Sequence, residues 1–347
     1  MIINNEINNL NKRNLNSGIE ILRVLLCLWV VITHCSHIKE KHFKYLKKGY
    51  HVPTFILLSF YFYYQVFNKR IQSKIIARFE KLLIPYIFWP TILLIINNFL
   101  FYKMSVGKFK KFTLKELYVQ ILLGAGFYIV FWFQFNLLFL SLFFTIISFL
   151  YKKKSLNIFK VLGIISFYLN ISGINVKFFN SFDKTNIVFR QNLGSLFELI
   201  PQAVIGCIYS SSKLIMKIKF NSKYSYFLLS SMLIIIFEFE LFVCNSGFRY
   251  PNSLDNFFAS TILILLFSSL SFEKYKNKSI RFIRYITQFT GGIYYTHTFF
   301  FYFLKRYSNF FFKKSYSTSF VIYIICYIFC FLGNSLFKNN KLKYLFI

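Results

Sequence analysis

The sequence predicts an all-α fold, a polytopic bundle of about ten transmembrane helices with both termini on the cytoplasmic side. Three observations lead there. Of 347 residues, 56 % are hydrophobic and only 15 % charged, where soluble domains hold about half and about a quarter. The apolar residues fall in blocks of about 18 to 22, the length needed to cross a hydrocarbon core of about 30 Å. The Lys and Arg residues, 42 against 11 Asp and Glu for a net charge of +31, gather in the short segments between those blocks. A disordered chain would be apolar-poor and is excluded. In a soluble protein such a charge would suggest nucleic acid. Here the positions fit membrane-flanking anchors that face acidic headgroups, so lipids and not nucleic acid are the expected partner.

The expected spans run over approximately 19–37, 50–67, 82–102, 132–150, 158–173, 193–211, 225–245, 255–272, 285–304 and 316–337. The segment 114–130 reads either as an eleventh span or as a helix lying at the interface. With ten spans and the N-terminus inside, most Lys and Arg fall on the cytoplasmic side, as the positive-inside rule requires; an eleventh span reverses the balance. The reading is a single domain over 1–347, with a polar cytoplasmic segment at 1–18 and no appended soluble domain. The first apolar block carries polar residues and follows an Asn-rich stretch, so it reads as a retained span and not a cleaved signal. Six cysteines lie in or beside apolar blocks without a CxxC pair; they read as small buried hydrophobes, and no metal site is expected.

Chemistry must then reside inside the bundle or at its faces, and ionisable residues within spans mark where. Each costs about 2.5–3.5 kcal/mol to insert. The first span, GIEILRVLLCLWVVITHCSH, holds Arg23 and His34. Their spacing places them about 20° apart around a helix and about 16 Å apart along it. One helix face thus presents a cation at one end and an imidazole at the other. Arg23 can equally pair with Glu20 one turn earlier and reach the surface, and His34 can be an interfacial histidine. A neutral imidazole is suited to take a proton from a hydroxyl near neutral pH. A basic cluster between the second and third spans, Lys69, Arg70, Lys74, Arg78 and Lys81, would suit the phosphates of an activated donor, although topology alone also places basic residues there.

A third unusual stretch is FTGGIYYTHTFF, residues 289–300. Gly291 and Gly292 permit close helix approach or a break, and His297 is either functional or a buried structural histidine. Glu198 begins ELIPQAVIG, in which Pro201 should kink the helix and free a carbonyl; the carboxylate could accept from Arg23 or orient a histidine. HEXXH, Walker A, GxSxG and GxGxxG patterns are absent from the sequence, so zincin, P-loop, hydrolase and Rossmann readings find no support.

These residues resemble the membrane acyltransferase family 3, which includes sugar O-acetyltransferases of bacterial surface polysaccharides. Arg23, ten residues and His34 are similar to its first-span signature. HVPTFILLSFYF, residues 51–62, resembles its second-span stretch, which usually ends in Ser-Gly-Phe. Arg78-Phe-Glu-Lys81 before Pro85 resembles its basic Arg-x-x-Arg motif. Trp132-Phe133 and Gly292-Ile-Tyr-Tyr-Thr-His297 resemble two later landmarks. The chain departs at Phe60, where the family has glycine, and at Lys81, which keeps the charge but loses the bidentate fork of arginine.

The resemblance implies an integral membrane O-acyltransferase, with acetyl-CoA as donor substrate and no metal. The acceptor would be a hydroxyl of a surface polysaccharide or lipid-linked glycan, and the site the bacterial cytoplasmic membrane. His34 would be the catalytic base or acyl relay, and Arg23 a support for the donor or a buried counter-charge. Arg78 and Lys81 would hold donor phosphates, with Ser59, Trp132 and His297 as further substrate-binding candidates. The alternative reading is an exporter or flippase for a glycan or lipid-linked sugar, against which the absence of inverted repeats weighs.

Overall fold

The computed structural model describes residues 16–35, 50–68, 72–96, 98–99, 113–123, 131–151, 154–172, 187–212, 227–236, 238, 252–270, 278–307 and 316–347. All regular structure among them is helical: α1 (Ser17–Cys35), α2 (His51–Asn68), α3 (Gln72–Ile96), α4 (Leu114–Leu123), α5 (Phe131–Tyr151) and α6 (Ser155–Ile171). There follow α7 (Ile187–Ser212), α8 (Phe227–Ile236), α9 (Asn252–Ser269), α10 (Lys278–Thr287), α11 (Thr290–Tyr307) and α12 (Tyr316–Leu336), then a 3-10 turn, Lys341–Leu345.

Among the described residues, four helices are long and apolar enough to cross a membrane: Ser17–His34, Gln72–Ile96, Phe131–Tyr151 and Thr318–Leu336. Shorter apolar helices lie at Ser155–Ile171, Phe227–Ile236 and Asp255–Ser269. The bundle is dressed for lipid. On α6, Val161, Ile164, Ile165 and Tyr168 are exposed, while Phe159, Gly163, Ser166 and Asn170 are buried. On this helix the outward face is apolar, and the inward one, Phe159 apart, is small or polar, which is the arrangement a hydrocarbon solvent selects.

Of the segment 114–130, read as either an eleventh span or an interfacial helix, the described residues form the ten-residue helix α4, about 15 Å long and shorter than a span needs; 124–130 lie outside the described residues. One expectation is corrected. The span expected over 285–304 is two helices, α10 and α11, broken by a turn at Gln288–Phe289. The basic stretch between the second and third spans is also more helical than a loop. From Gln72 onward it is the first part of α3, so Arg78 and Lys81 lie about one turn apart on a helix. Lys69 and Arg70 lie outside the described residues, as do His37 and His42.

Packing follows from local sequence. Asn16 caps α1, its Oδ1 accepting from the backbone N–H of Gly18 at 2.8 Å. Helices α2 and α7 lie against each other along much of their length. Gly206 makes that approach possible, since a Cβ there would sit 2.4 Å from the Leu57 carbonyl oxygen. Pro85 and Pro90 sit within α3 and Pro201 within α7. The carbonyl that Pro201 frees, that of Phe197, accepts from Ser166 Oγ at 2.8 Å and Asn170 Nδ2 at 3.3 Å. Neighbouring polar side chains thus satisfy the backbone group that proline exposes. The larger core runs through α2, α3, α5, α7, α11 and α12, and a smaller one joins α1, α2 and α9.

Candidate active site

Six helices enclose a cavity of about 460 Å³, within the range of ligand sites. Among the described residues its lining carries four cations, Arg23, Arg78, Lys81 and Arg284, against one acidic side chain, Glu20. The α1 end is built around Arg23. Its guanidinium meets Glu20 Oε2 at 3.4 Å and donates to the Thr287 carbonyl at 3.4 Å and to Thr290 Oγ1 at 3.3 Å. Arg23 therefore fastens α1 to the turn between α10 and α11, and its carboxylate partner is Glu20 and not Glu198, which is exposed.

Arg78 is held differently. It donates to Ser59 Oγ at 2.8 Å and Ser141 Oγ at 3.4 Å, and its guanidinium lies 4.9 Å from the Tyr63 ring centroid. Among the described residues it meets hydroxyls and aromatic faces but no carboxylate, and its Nε has no partner. A half-buried cation compensated only by dipoles and π faces retains its demand for an anion. Lys81, one turn on, lines the same cavity, with its ammonium 5.5 Å from the Tyr344 ring centroid. Ser59 thus orients Arg78 as well as lining the cavity. The ring of Phe60 leaves the cavity open: it is fully buried against Phe144, 4.9 Å away between centroids. Trp132 is partly buried beside the cavity, and its neighbours Phe133 and Gln134 supply the lining.

The other end of α1 meets a different chemistry. His34 is exposed, and its ring centroid lies 5.4 Å from that of His297 on α11. His297 is fully buried, and its Nδ1 is 3.1 Å from the Ile293 carbonyl oxygen. A carbonyl can only accept, so Nδ1 carries the proton and Nε2 of the neutral ring is left with a lone pair. That Nε2 has no partner among the described residues. A third imidazole, His51, opens α2. It is 4 % exposed with an unpartnered Nδ1, packs 6.0 Å from Trp29 of α1, and is close enough to interact electrostatically with His34 and His297. Unsatisfied buried nitrogens cost about 1–3 kcal/mol each, so two around one exposed imidazole mark a place prepared for a polar ligand. Among the described residues no cluster could hold a metal ion.

The sequence singled out Arg23, His34, Arg78, Lys81, Ser59 and His297, and the structure gathers them at two ends. Arg284 and His51 were not singled out. Arg284 follows in the basic amphipathic run KSIRFIRYIT of α10, a pattern that could have marked it. His51 stands in the HVPTF stretch without further signal.

No curated protein and no solved structure matches the chain. Residues 16–338 match the family described as acyltransferase domain, Acyl_transf_3. That match covers almost the whole chain, including both ends of α1 and the helices around them, and the chain is a member of this family of membrane acyltransferases.

Proposed function

We propose that the protein transfers an acetyl group from cytoplasmic acetyl-CoA to a hydroxyl of a surface polysaccharide or lipid-linked glycan, in the bacterial cytoplasmic membrane. The observation that carries the donor half is the cavity with four cations and one acidic side chain among the described residues, none of whose carboxylates meets Arg78. Phosphates are the fitting anions, since arginine binds them through paired N–H groups. In this reading Arg78 and Lys81 hold the donor phosphates, and Arg23 orders the α10–α11 turn beside them. A donor with its anionic group at one end and its thioester on a long arm suits a site whose α1 side runs about 16 Å from Arg23 to His34.

His34 acts as the general base. It takes the hydroxyl proton as the alcohol oxygen attacks the thioester carbon. The carbon–sulfur bond then breaks, and the proton returns to the leaving thiolate, giving an ester and free thiol. His297, whose Nε2 can only accept, orients either the imidazole of His34 or the acceptor hydroxyl. Ser59 keeps Arg78 in place, and Trp132 backs the cavity wall through Phe133, 6.4 Å away between centroids.

The test is acyl transfer by purified protein in detergent with radiolabelled acetyl-CoA and a panel of glycans, comparing wild type with His34→Ala. Label in a glycan with wild type alone is expected. Equal labelling by both would move the base to another residue. Vectorial glycan movement without acyl incorporation would favour an exporter.

A further inference from the structure

The cationic cavity and the imidazole cluster meet at one side chain. Tyr294 lines the cavity, and its ring centroid lies 6.0 Å from that of His297. Neither His34 nor His297 belongs to the lining. Tyr294 also packs against Phe133, 5.2 Å away between centroids, and Phe133 lines the cavity as well. Both rings are nearly buried, at 9 % and 7 % exposure. The two rings come from different helices, α11 and α5. The adjacent Tyr295 is braced in turn by stacking on Phe131 at 6.1 Å. The end of the cavity toward the imidazoles is therefore a braced aromatic wall.

We infer that Tyr294, backed by Phe133, sets the length of the acyl group the protein accepts. The inference rests on the donor reading above. A donor anchored by its phosphates at the cations brings its thioester carbon up to Tyr294, the lining side chain that packs on His297. Whatever extends beyond that carbon is then placed against the wall. A two-carbon acyl group needs little room there. Each further methylene must displace an aromatic ring packed against Phe133, Tyr295 and His297, and close-packed interiors resist such insertions. Removing a ring opens apolar space, in which each methylene buried is worth about fourfold in affinity.

The experiment is displacement of radiolabelled acetyl-CoA from the full-length protein in detergent by unlabelled CoA, acetyl-CoA, butyryl-CoA and octanoyl-CoA. It compares wild type, Tyr294→Ala and Phe133→Ala, with Tyr294→Leu as the milder variant if either fails to fold. Wild type is expected to favour acetyl-CoA. The variants are expected to shift the butyryl-to-acetyl ratio by roughly tenfold toward butyryl, a ratio from which any common change in affinity for the CoA moiety cancels. Variants that bind CoA normally and keep the wild-type chain-length ratio overturn the wall. If wild type binds neither CoA nor any acyl-CoA, the donor reading fails, and this inference fails with it for that separate reason.

Discussion

The two ends of α1 answer different chemical needs, although one continuous helix supplies both. At the Arg23 end, charge is concentrated and cross-linked: Arg23 reaches Glu20, Thr287 and Thr290, and Arg78 reaches Ser59 and Ser141. At the His34 end there is no ion pair among the described residues, and three imidazoles lie close together with two ring nitrogens unpartnered. The first arrangement is rigid, positively charged and suited to hold an anion. The second is neutral and suited to accept a proton. On the proposed function, the comparison teaches how binding and chemistry would be separated along one helix, with Tyr294 at the junction.

Substitutions at the two ends should therefore fail in different ways. The largest effect is expected at His34. Replacement by Ala removes the base and should lower the transfer rate by about 10²–10⁴-fold, with acetyl-CoA affinity kept; steady-state kinetics with separate donor titrations check this. Arg78→Ala comes next. Loss of charge-assisted contacts worth about 1.5–3 kcal/mol should weaken acetyl-CoA binding by roughly tenfold to a hundredfold, measured by direct binding. Raised salt should weaken wild-type binding in the same direction.

Gly206→Ala serves as a control that belongs to neither end. Its Cβ would meet the Leu57 carbonyl at 2.4 Å, and the overpacking should cost about 1–3 kcal/mol of stability. A lowered thermal midpoint is expected, with no selective loss of donor binding or of transfer. The smallest effect belongs to Glu80→Gln. Glu80 pairs with the exposed Lys341; its hydrogen bond and charge raise the Lys341 pKa above the usual lysine value. That contribution is present at neutral pH and is lost only as pH rises through the raised lysine value. Being solvent-screened, it should leave the melting curve at pH 7 nearly unchanged.

Much of the site was legible because it lies on one helix. The spacing of Arg23 and His34 fixes their shared face by helical geometry alone, and the structure places them at opposite ends of it. Other features depend on which helices become neighbours, and a linear pattern does not carry that. The apolar run through 285–304 conceals the turn at Gln288–Phe289, because Phe289 stays buried in the core as the chain changes direction. The basic segment before the third span looked like a loop on charge alone, yet α3 begins at Gln72 and turns Arg78 inward onto Ser59. Phe60 departs from the family pattern, which has glycine there; the destination of its ring against Phe144 depends on α5. The close approach at Gly292, where a Cβ would stand 2.5 Å from the Phe346 carbonyl oxygen, required the 3-10 turn to fold back onto α11.

The most direct test of the separation is acetyl-CoA binding measured on wild type, His34→Ala and Arg78→Ala, alongside glycan acylation by the same preparations. The account predicts that His34→Ala binds the donor as wild type does and transfers nothing, while Arg78→Ala binds at least tenfold more weakly. Loss of donor binding in His34→Ala, with binding by Arg78→Ala intact, would contradict it.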